Sequence, residues 1–350
     1  MKKYVNYMTT LMKGHWLRIN MPILVTLCVT NRCNLKCFYC YEEYYDRNHR
    51  EFTTEEIFRL IDELVQMGTK YISIGGGEAL LRKDIGQIVD RIKQRNILCH
   101  LSTNGLIVKD HVPVLKKVDS LAISIDGRLE SNDLNRGKGT FRKLIEAFEI
   151  LNKEKIQFHS HTVLTRNNSN AVEELMVLAR AYHFQAQFSP LRVEDSPDKS
   201  LGLDDIQLKK MIQKILKLKK QGAPVFFSAK TYENFLNWPF PASKQFVFNE
   251  SIKGYKPIKC YIKNFACHIE ANGLVYPCIV LVNKFKALNL LEVGFQKAWE
   301  NLAENGCRAC NNICCNDLNL IFGFNPDSIW NALKIVVGRL TDKSSAPSLK

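Results

Sequence analysis

The feature that most constrains the fold is a regular alternation of strand-like and helix-like segments between Ile23 and Phe188. Six apolar strand-like segments alternate with segments of helical periodicity and lie at 21–27, 71–74, 97–101, 121–125, 156–164 and 184–188. Strands separated by helices predict right-handed βαβ units and a parallel sheet. Six units are too few for a closed eight-stranded barrel. An open barrel of six units and a doubly wound sheet both fit the pattern.

A loop rich in cysteine follows the first strand-like segment. Cys33, Cys37 and Cys40 are separated by three and then by two residues. Because the loop leaves a strand end, it can direct three thiols at one centre. Three thiolates suit a soft metal, either zinc or an iron–sulfur cluster. Structural zinc normally takes four ligands from paired Cys-x2-Cys arms, so a loop with three thiols leaves one metal position open.

Composition limits the compartment in which the protein works. The 350 residues are 46% hydrophobic, and most of the twelve cysteines fall in two clusters, 28–40 and 260–315. A disulfide-stabilised secreted protein would be much shorter. The N-terminal segment does not have the pattern of a signal peptide, and no stretch reaches the roughly twenty apolar residues of a membrane span. We therefore expect a cytoplasmic protein whose cysteines bind metal.

The formal net charge of +14 raises the question of the partner. Lysines are spread along helix-like segments such as 208–220, and no compact arginine–aromatic motif occurs. This distribution favours a solvated lysine-rich surface over a nucleic-acid interface. The segments 4–18 and 329–339 mix apolar, aromatic and basic residues, which suits either interfacial helices or ordinary packing helices. Peripheral membrane contact is therefore an additional expectation.

With Tyr39 directly before its third cysteine, the loop resembles the cluster-binding signature of the radical S-adenosylmethionine (radical SAM) superfamily. The resemblance implies a [4Fe–4S] cluster on the three cysteines, whose fourth iron binds the amino and carboxylate groups of S-adenosylmethionine. One-electron reduction then cleaves this cofactor to a 5′-deoxyadenosyl radical. The resemblance also implies an α/β fold with a partial (β/α)6 barrel of the TIM type. A low-potential electron donor of the ferredoxin or flavodoxin type would serve such an enzyme.

A glycine motif follows the second strand-like segment. Gly76-Gly77-Glu78 resembles the family's Gly-Gly-Glu motif, which binds the methionyl amino group. The family usually has proline next, where this chain has Ala79. The substitution makes the backbone less stiff but keeps the ligand atoms. Glycines at a strand end also allow the backbone to approach a ligand closely.

Further polar motifs lie at the ends of later strands. Ser102 and Asn104 belong to Ser-Thr-Asn-Gly, which resembles the family's fourth-strand motif and suits ribose or carboxylate contacts. Ser124, in Ser-Ile-Asp-Gly, is expected at the fifth strand end beside the cofactor, with Asp126 on the substrate side. His161, at the sixth strand end, is expected to be a core histidine. The remaining residues expected to contact the cofactor are Tyr39, Arg136 and Leu191.

The C-terminal cysteines form a second pattern. Cys260 is followed after twelve residues by Gly273 and after four more by Cys278, and Cys307-x2-Cys310 comes later. Asn272-Gly273 predicts a hairpin that brings the first thiols together. Zinc would fit four such thiols. The pattern resembles the SPASM and twitch domains of radical SAM enzymes, which implies one auxiliary [4Fe–4S] cluster on Cys260, Cys278, Cys307 and Cys310. Alternates, or partial ligands of a second cluster, are Cys267, Cys314 and Cys315, whereas Cys28 and Cys99 are expected to be inert core thiols.

These expectations divide the chain and define its function. The expected division is an N-terminal extension (1–20), a radical SAM core (21–221), a connector (222–255), a small cysteine-rich α+β domain (256–340) and a disordered tail (341–350). The expected enzyme cleaves S-adenosylmethionine and abstracts a hydrogen atom from a peptide or protein side chain. One alternative is a radical SAM enzyme that acts on a small molecule or lipid. The other is a non-enzymatic metal protein that binds nucleic acid.

Overall fold

The first two thirds of the chain alternate strands and helices in the computed structural model, which describes residues 2–40, 50–248, 254–304 and 306–341. The elements of this part are α1 (Lys2–Leu17), β1 (Leu24–Cys28), α2 (Thr54–Gln66), β2 (Tyr71–Gly75), α3 (Ile85–Gln94), β3 (Leu98–Thr103), α4 (Val112–Leu115), β4 (Ser120–Ser124), α5 (Leu129–Arg136), α6 (Thr140–Lys153), β5 (His159–Leu164), α7 (Ala171–Ala181), β6 (Gln185–Pro190) and α8 (Asp205–Lys220).

The six strands β1 to β6 pair in chain order, and every pairing is parallel. Consecutive parallel pairing through helices is the geometry of a partial (β/α)6 barrel, so the expected α/β class is confirmed and the doubly wound order is not adopted. Ser102 and Ser124 lie on the third and fourth strands, and His161 lies on the fifth. The ordinals expected for these motifs (fourth, fifth and sixth) are therefore one too high, since the strands that carry them are the third, fourth and fifth along the chain.

The two faces of the barrel strands differ in character. Alternate residues such as Val25, Leu27 and Ile72 are fully buried in the apolar core that the strands share with the helices. The residues between them include Thr26 and Ser73, which are polar and partly exposed. Because side chains alternate along a strand, these residues point to the opposite face. The face of the sheet that carries Thr26 and Ser73, which we call the lumen, is therefore more polar and more exposed than the face that packs on the helices.

The helices form where the sequence pattern indicates. The Thr53 side chain accepts a hydrogen bond from the Glu56 backbone N–H, and the Glu56 carboxylate accepts one from the Thr53 backbone N–H. This capping box starts α2, and four apolar residues of α2 at helical spacing are buried. Helical periodicity and a cap together account for the element.

The C-terminal third combines short strands with helices. Its elements are α9 (Ala229–Leu236), β7 (Phe246–Phe248), α10 (Ile262–Phe265), β8 (Ala266–Ile269), β9 (Leu274–Tyr276), β10 (Leu288–Asn289), α11 (Leu290–Val293), α12 (Phe295–Glu300), β11 (Cys307–Cys310), α13 (Ile313–Phe322) and α14 (Pro326–Thr341). The segment expected as a connector thus contains α9 and β7, and β7 pairs with β11. The expected tail lies outside the described residues from 342 onward.

The C-terminal third extends the barrel sheet. β8 lies parallel to β1, and β9 and β10 follow as antiparallel neighbours, so the sheet has the order β10-β9-β8-β1-β2-β3-β4-β5-β6. Gly273 has a φ of +92° in the predicted hairpin between β8 and β9. Such a backbone conformation favours glycine. The first and last thirds of the chain therefore share one sheet.

The two segments of mixed apolar and basic character are both helical. They correspond to α1 and α14. In the described parts of the chain, none of the helices combines the length and apolar character that a bilayer span requires.

Candidate active site and metal centres

The backbone of the glycine motif holds the start of the cysteine loop. The Gly77 N–H donates to the Thr30 carbonyl at 2.9 Å, and the Glu78 N–H donates to the Arg32 carbonyl at 2.8 Å. Gly76 has a φ of +130°, and a Cβ atom there would lie 2.5 Å from the Thr30 carbonyl oxygen. Only glycine fits so close an approach at a positive φ. The motif therefore positions the loop through its backbone.

The Glu78 carboxylate joins the second strand to the third. It is 1% exposed and accepts hydrogen bonds from the Thr103 hydroxyl at 2.8 Å and the Asn104 backbone N–H at 2.7 Å. Burial raises the pKa of Glu78, although these hydrogen bonds oppose the change. The Asn104 amide in turn donates to the Asn34 side-chain oxygen at 2.7 Å, in the middle of the cysteine loop. Glu78 thus supports the loop through the end of β3.

A buried ion pair holds the other end of the loop. The Tyr39 hydroxyl donates to Asp126 at 2.6 Å, and Asp126 lies 2.9 Å from the Arg136 guanidinium. Asp126 is fully buried and also accepts from the Val163 backbone N–H at 2.9 Å. Burial opposes the charge of Arg136, yet Asp126 raises the pKa of Arg136 above its ordinary value. Because a buried guanidinium needs a countercharge, these two side chains, which were assigned to different ligands, contact each other.

Other expected cofactor residues lie around the lumen. The Ser102 hydroxyl is 3.1 Å from His100 Nε2, and Ser124 is half-buried at the end of β4. Leu191 follows β6, is 7% exposed, and donates its backbone N–H to the Leu164 carbonyl at 3.1 Å. Burial, with a contribution from the Arg136 charge, lowers the pKa of His161 to about 4. The imidazole of His161 is therefore neutral at physiological pH.

The three loop cysteines suit an iron–sulfur cluster. All three are free thiols and half-buried. Burial raises the pKa of Cys33, and it raises the pKa of Cys37 to about 12. The neighbouring loop thiols raise both pKa values further, so the sulfurs are close enough to repel one another as thiolates. A bound cationic cluster removes this penalty, and three thiols on one loop fit such a cluster.

A second thiol group lies in the C-terminal third. It combines Cys278 after β9, Cys260 before α10, and Cys307 and Cys310 of β11. Burial raises the pKa of Cys307 to about 12, and nearby Cys260 and Cys278 contribute. Burial and the same neighbours raise the pKa of Cys310 well above its ordinary value. Four buried sulfurs whose thiolate forms repel one another fit a metal centre, because a bound cation removes this repulsion as it would in the cysteine loop.

Cys315 joins this group as a fifth thiol. A hydrogen bond between its side chain and that of Cys278 lowers the pKa of Cys278 below its ordinary value. The same hydrogen bond and burial raise the pKa of Cys315 well above its ordinary value. Cys315 lies in the first turn of α13, where its backbone N–H donates to the Asn312 side chain at 2.9 Å.

The two other alternate cysteines lie in different surroundings. Cys267 of β8 is 3% exposed in the apolar core between the strands and helices, and burial alone accounts for the raised pKa of Cys267. Burial and the charge of Asp317 raise the pKa of Cys314 to about 12. The structure therefore brings Cys315 to the second thiol group but not Cys267, because successive residues of β8 face opposite sides of the sheet.

Sequence reasoning missed several supporting contacts. Asn34 is an ordinary loop residue in the sequence, and nothing in the local pattern indicates its bond to Asn104. The Tyr39–Asp126 bond joins residues 87 positions apart. Cys28 was expected to be inert, but its sulfur lies 3.7 Å from His268 Nε2. The alternation His268-x-Glu270 after a strand start was the signal that could have drawn attention to this group.

Comparisons with known proteins agree with this geometry. The family model described as the radical SAM superfamily matches residues 27–179. Mycofactocin maturase MftC of Mycolicibacterium smegmatis is 29% identical over 304 residues, which cover 81% of this chain and 71% of that protein. AdoMet-dependent heme synthase of Methanosarcina barkeri is 28% identical over 305 residues, which cover 81% of this chain and 83% of that protein.

A solved structure shares the fold. The crystal structure of Streptococcus suis SuiB bound to the precursor peptide SuiA matches with a TM-score of 0.64 and 18% sequence identity, and the match covers 85% of this chain and 69% of that chain. The family match and the enzyme relatives support a radical SAM enzyme. Together with the cysteine loop and the glycine motif, these matches identify residues 27–179 as a radical SAM domain, and the C-terminal third adds a second cysteine-rich group.

Proposed function

We propose that this radical SAM enzyme is a maturase that abstracts a hydrogen atom from a peptide or protein side chain. The observation that carries the proposal is the second thiol group, which packs against the first residues of two barrel strands. Cys278, Cys310 and Cys315 pack in one apolar cluster with Leu24 of β1 and Leu98 of β3. Two metal centres in one protein would support a reaction that transfers an electron as well as a hydrogen atom.

Relatives support the peptide as substrate. MftC is named as the maturase of mycofactocin, and the SuiB structure contains a precursor peptide. The barrel is also open, since the sheet ends at β6 on one side and at β10 on the other. An open sheet leaves lateral access to the polar lumen, which a side chain of an extended peptide could enter. The proposed substrate is therefore a peptide whose reacting residue reaches into the lumen.

The residues have separate proposed roles. Cys33, Cys37 and Cys40 hold a [4Fe–4S] cluster, which when bound supplies the one-electron cleavage of S-adenosylmethionine to a 5′-deoxyadenosyl radical. The backbone at Gly76 and Gly77 faces the cofactor. Further cofactor contacts are proposed for Glu78, Ser102, Asn104, Ser124, Tyr39, Arg136 and Leu191. Several of these residues act partly by holding the loop, since Glu78, Tyr39 and Arg136 are already bonded within the protein.

The second thiol group holds the auxiliary [4Fe–4S] cluster in this proposal. The ligands are Cys260, Cys278, Cys307 and Cys310, and Cys315 is a fifth thiol next to Cys278. The chain's own contribution is to bury these thiols and to keep water from them. The domain division is proposed with one refinement, because β7 of the expected connector completes a sheet with β11 of the auxiliary module.

A small-molecule substrate is the second candidate. AdoMet-dependent heme synthase is as similar to this chain as the maturase is, and the match covers 83% of that protein. The two candidates predict different behaviour of the cell extract that supplies the substrate. A peptide substrate is destroyed by protease, whereas a small molecule or lipid survives protease treatment.

The first experiment tests the chemistry. The protein is reconstituted anaerobically with iron and sulfide, its iron is counted, and 5′-deoxyadenosine is measured after reduction. We expect roughly eight iron atoms per chain for two four-iron clusters. Replacing Cys33, Cys37 and Cys40 by Ala should remove about half of the iron and all cofactor cleavage. Cys99→Ala is the matched control, since Cys99 is buried in β3 away from both thiol groups.

The second experiment tests the substrate class. Size-fractionated extract of the source cell is added to the reduced enzyme, and the rate of 5′-deoxyadenosine formation is measured before and after the extract is digested with protease. Stimulation that digestion abolishes supports the peptide. Stimulation that survives digestion transfers the proposal to the small molecule. An enzyme that never releases 5′-deoxyadenosine contradicts both.

Membrane contact and the electron donor complete the proposal, which places the enzyme in the cytoplasm, peripheral to a membrane. Val5, Met12 and Trp16 are exposed on one face of α1 together with Lys2 and Lys13, and α1 contains no acidic residue. Such a face suits anionic lipid. Co-sedimentation with anionic vesicles, but not with neutral ones, tests this proposal.

The net charge of +14 favours an acidic electron donor of the ferredoxin or flavodoxin type, and salt should slow electron delivery.

A further inference from the structure

Three buried side chains of different chemistry meet at the junction between the barrel and the C-terminal module. The Cys28 sulfur lies 3.7 Å from His268 Nε2, and His268 Nε2 lies 2.6 Å from Glu270 Oε1. One ligand atom from each residue lies within 4.8 Å of the other two. Each of the three residues is 3% exposed. We call this group the junction triad.

Strand pairing fixes the triad. β1 and β8 are parallel, with Thr26 opposite His268 and Leu27 opposite Ile269. The next residue along each strand is Cys28 on one and Glu270 on the other. His268 and Glu270 are two residues apart, so they face the same side of the sheet. Ile269 between them and Cys267 before them face the apolar core on the other side. The triad therefore faces the lumen.

The triad lies between the two candidate metal centres. Cys28 ends β1, five residues before Cys33 of the cluster loop. On the other side, Ala266 of β8 packs in the apolar cluster that contains Cys278 and Cys315. The triad is distinct from both thiol groups, because Cys28 is not among the eight cysteines assigned to the loop or to the second group.

The donor set matches a zinc-type cation. Zinc binds thiolate, imidazole and carboxylate, and sites with three protein ligands keep a fourth position open. Tetrahedral bonds to sulfur and nitrogen would separate these two atoms by about 3.5 Å, close to the observed spacing of Cys28 and His268. The distance between His268 and Glu270 is that of a hydrogen bond, so it would lengthen by about 0.7 Å when a metal replaces the shared proton.

Charge favours the same cation. One thiolate and one carboxylate balance the two charges of a divalent metal, and the imidazole is neutral. Burying these three ligands with their metal therefore leaves no net charge at the site. The imidazole is also oriented through the nitrogen that would bind, because Nε2 makes both contacts while Nδ1 has no hydrogen-bond partner among the described residues.

We propose that Cys28, His268 and Glu270 bind one zinc-type divalent cation at the junction of the barrel and the C-terminal module. Binding breaks the S–H bond of Cys28 and forms a metal–sulfur bond, and the thiol proton goes to solvent. The metal–nitrogen bond displaces the proton that His268 Nε2 shares with Glu270, and a proton taken up at Nδ1 keeps the imidazole neutral. The cation links the first strand of the barrel to the first strand of the hairpin. Its fourth position faces the lumen, where a carboxylate, thiolate or water could bind.

The test uses the full chain with its iron–sulfur clusters already reconstituted. One equivalent of zinc is added anaerobically, the protein is desalted, and zinc and iron are counted by mass spectrometry. X-ray absorption at the zinc edge then reports the neighbours of the metal. We expect about one zinc per chain, with one sulfur at about 2.3 Å and two or more nitrogen or oxygen neighbours at about 2.0 Å.

Single substitutions identify the site. Cys28→Ala and Glu270→Gln should each weaken zinc binding by at least about 100-fold, while the iron content stays the same. Cys267→Ala is the matched control, because Cys267 neighbours His268 on the same strand but faces the apolar core. This variant should bind zinc like the parent protein. Glu270→Gln keeps the side-chain shape, so it tests the charge even if Cys28→Ala folds poorly.

Three outcomes would overturn the proposal. The first is a protein that retains no zinc after desalting, which leaves His268 and Glu270 as a hydrogen-bonded pair only. The second is a zinc edge with four sulfur neighbours, which assigns the metal to the second thiol group. The third is unchanged zinc binding in Cys28→Ala and Glu270→Gln. None of these readouts depends on 5′-deoxyadenosine, so the failure of this proposal is distinguishable from the failure of the proposed function.

Discussion

Replacing Gly76 by alanine tests the contact on which the cluster loop depends. In the structure the Gly76 backbone approaches Thr30 so closely that an added Cβ atom would lie 2.5 Å from the Thr30 carbonyl oxygen and 3.2 Å from the Thr30 nitrogen. Both of these atoms belong to the backbone, so neither can move away by a rotamer change. The Thr30 carbonyl also accepts the Gly77 N–H. Relief of the clash must therefore move the loop or break this hydrogen bond.

The expected cost has two parts. Alanine at a φ of +130° incurs a backbone penalty of about 1–2 kcal/mol. Overpacking against a fixed backbone atom adds about 1–3 kcal/mol. The free energy of unfolding of Gly76→Ala should therefore fall by about 2–5 kcal/mol, a large share of the ~5–15 kcal/mol that stabilises a typical domain.

Urea unfolding of the cluster-free protein under reducing conditions measures this free energy. The iron count after reconstitution measures whether the cysteine loop still binds its cluster. Gly75→Ala is the matched control, since a Cβ atom at Gly75 meets nothing within 4 Å and its φ is not positive. We expect Gly75→Ala to keep the parent stability and iron content, and Gly76→Ala to lose both stability and loop iron. Equal behaviour of the two variants would refute the close approach of Gly76 to Thr30.

Three further predictions concern other contacts. Tyr39→Phe should lower the free energy of unfolding by about 1.5–3 kcal/mol and Asp126→Asn by about 3–5 kcal/mol. Because the two side chains contact each other, urea unfolding of the double variant should show a loss smaller than the sum of the two single losses. Additive losses would contradict the contact. Cys315→Ala should shift the electron paramagnetic resonance signal of the reduced auxiliary cluster, whereas Cys314→Ala should leave it unchanged; identical spectra for all three proteins would contradict the placement of the fifth thiol. The hydrogen bond from the Arg82 guanidinium lowers the pKa of Asp84 to about 2, below the value of this carboxyl in the unfolded chain. The Arg82–Asp84 pair therefore stabilises the fold above about pH 4, and this stabilisation disappears as the pH falls towards 2. The cluster-free protein should therefore exceed Asp84→Asn in unfolding free energy by about 1–2 kcal/mol at pH 7 and lose this excess by pH 2, and a constant difference would be the contrary result.

Local patterns were sufficient to predict the six parallel strands, whereas the choice of a barrel over a doubly wound sheet came from the family resemblance. The six strand-like segments and the helices between them depend on hydrophobic periodicity and on caps such as Thr53–Glu56, which act over a few residues. The strands nevertheless begin and end up to three residues away from the predicted limits, because pairing with neighbours decides the ends. The prediction of Met21–Leu27, for example, corresponds to a strand at Leu24–Cys28.

Long-range contacts could not be predicted from local patterns. The insertion of β8 beside β1 pairs residues about 240 positions apart, and no periodicity encodes such a partner. The same limit applies to the Asn34–Asn104 bond and to the pairing of Asp126 with Arg136. Arg136 was expected to contact the cofactor because a guanidinium can pair with a carboxylate. In the structure, burial forces its guanidinium to find a nearby carboxylate.

The thiol groups show an intermediate case. Spacing together with the family resemblance predicted the three loop cysteines and the four cysteines of the second group as ligands. It did not distinguish Cys315 from Cys267, since both lie within a few residues of other candidates. Which of these sulfurs reaches the metal centre depends on the helix phase of α13 and on the strand face of β8.

The pairing of β1 with β8 has a consequence during synthesis on the ribosome. β1 leaves the exit tunnel early, but its neighbour on one side is made about 240 residues later, which takes tens of seconds at a typical rate of translation. For that time β1 presents an unpaired edge, and unpaired edges promote aggregation. A nascent chain that stops before Ala266 should therefore need a chaperone to stay soluble, and cluster insertion into the loop should succeed only after the C-terminal third has emerged.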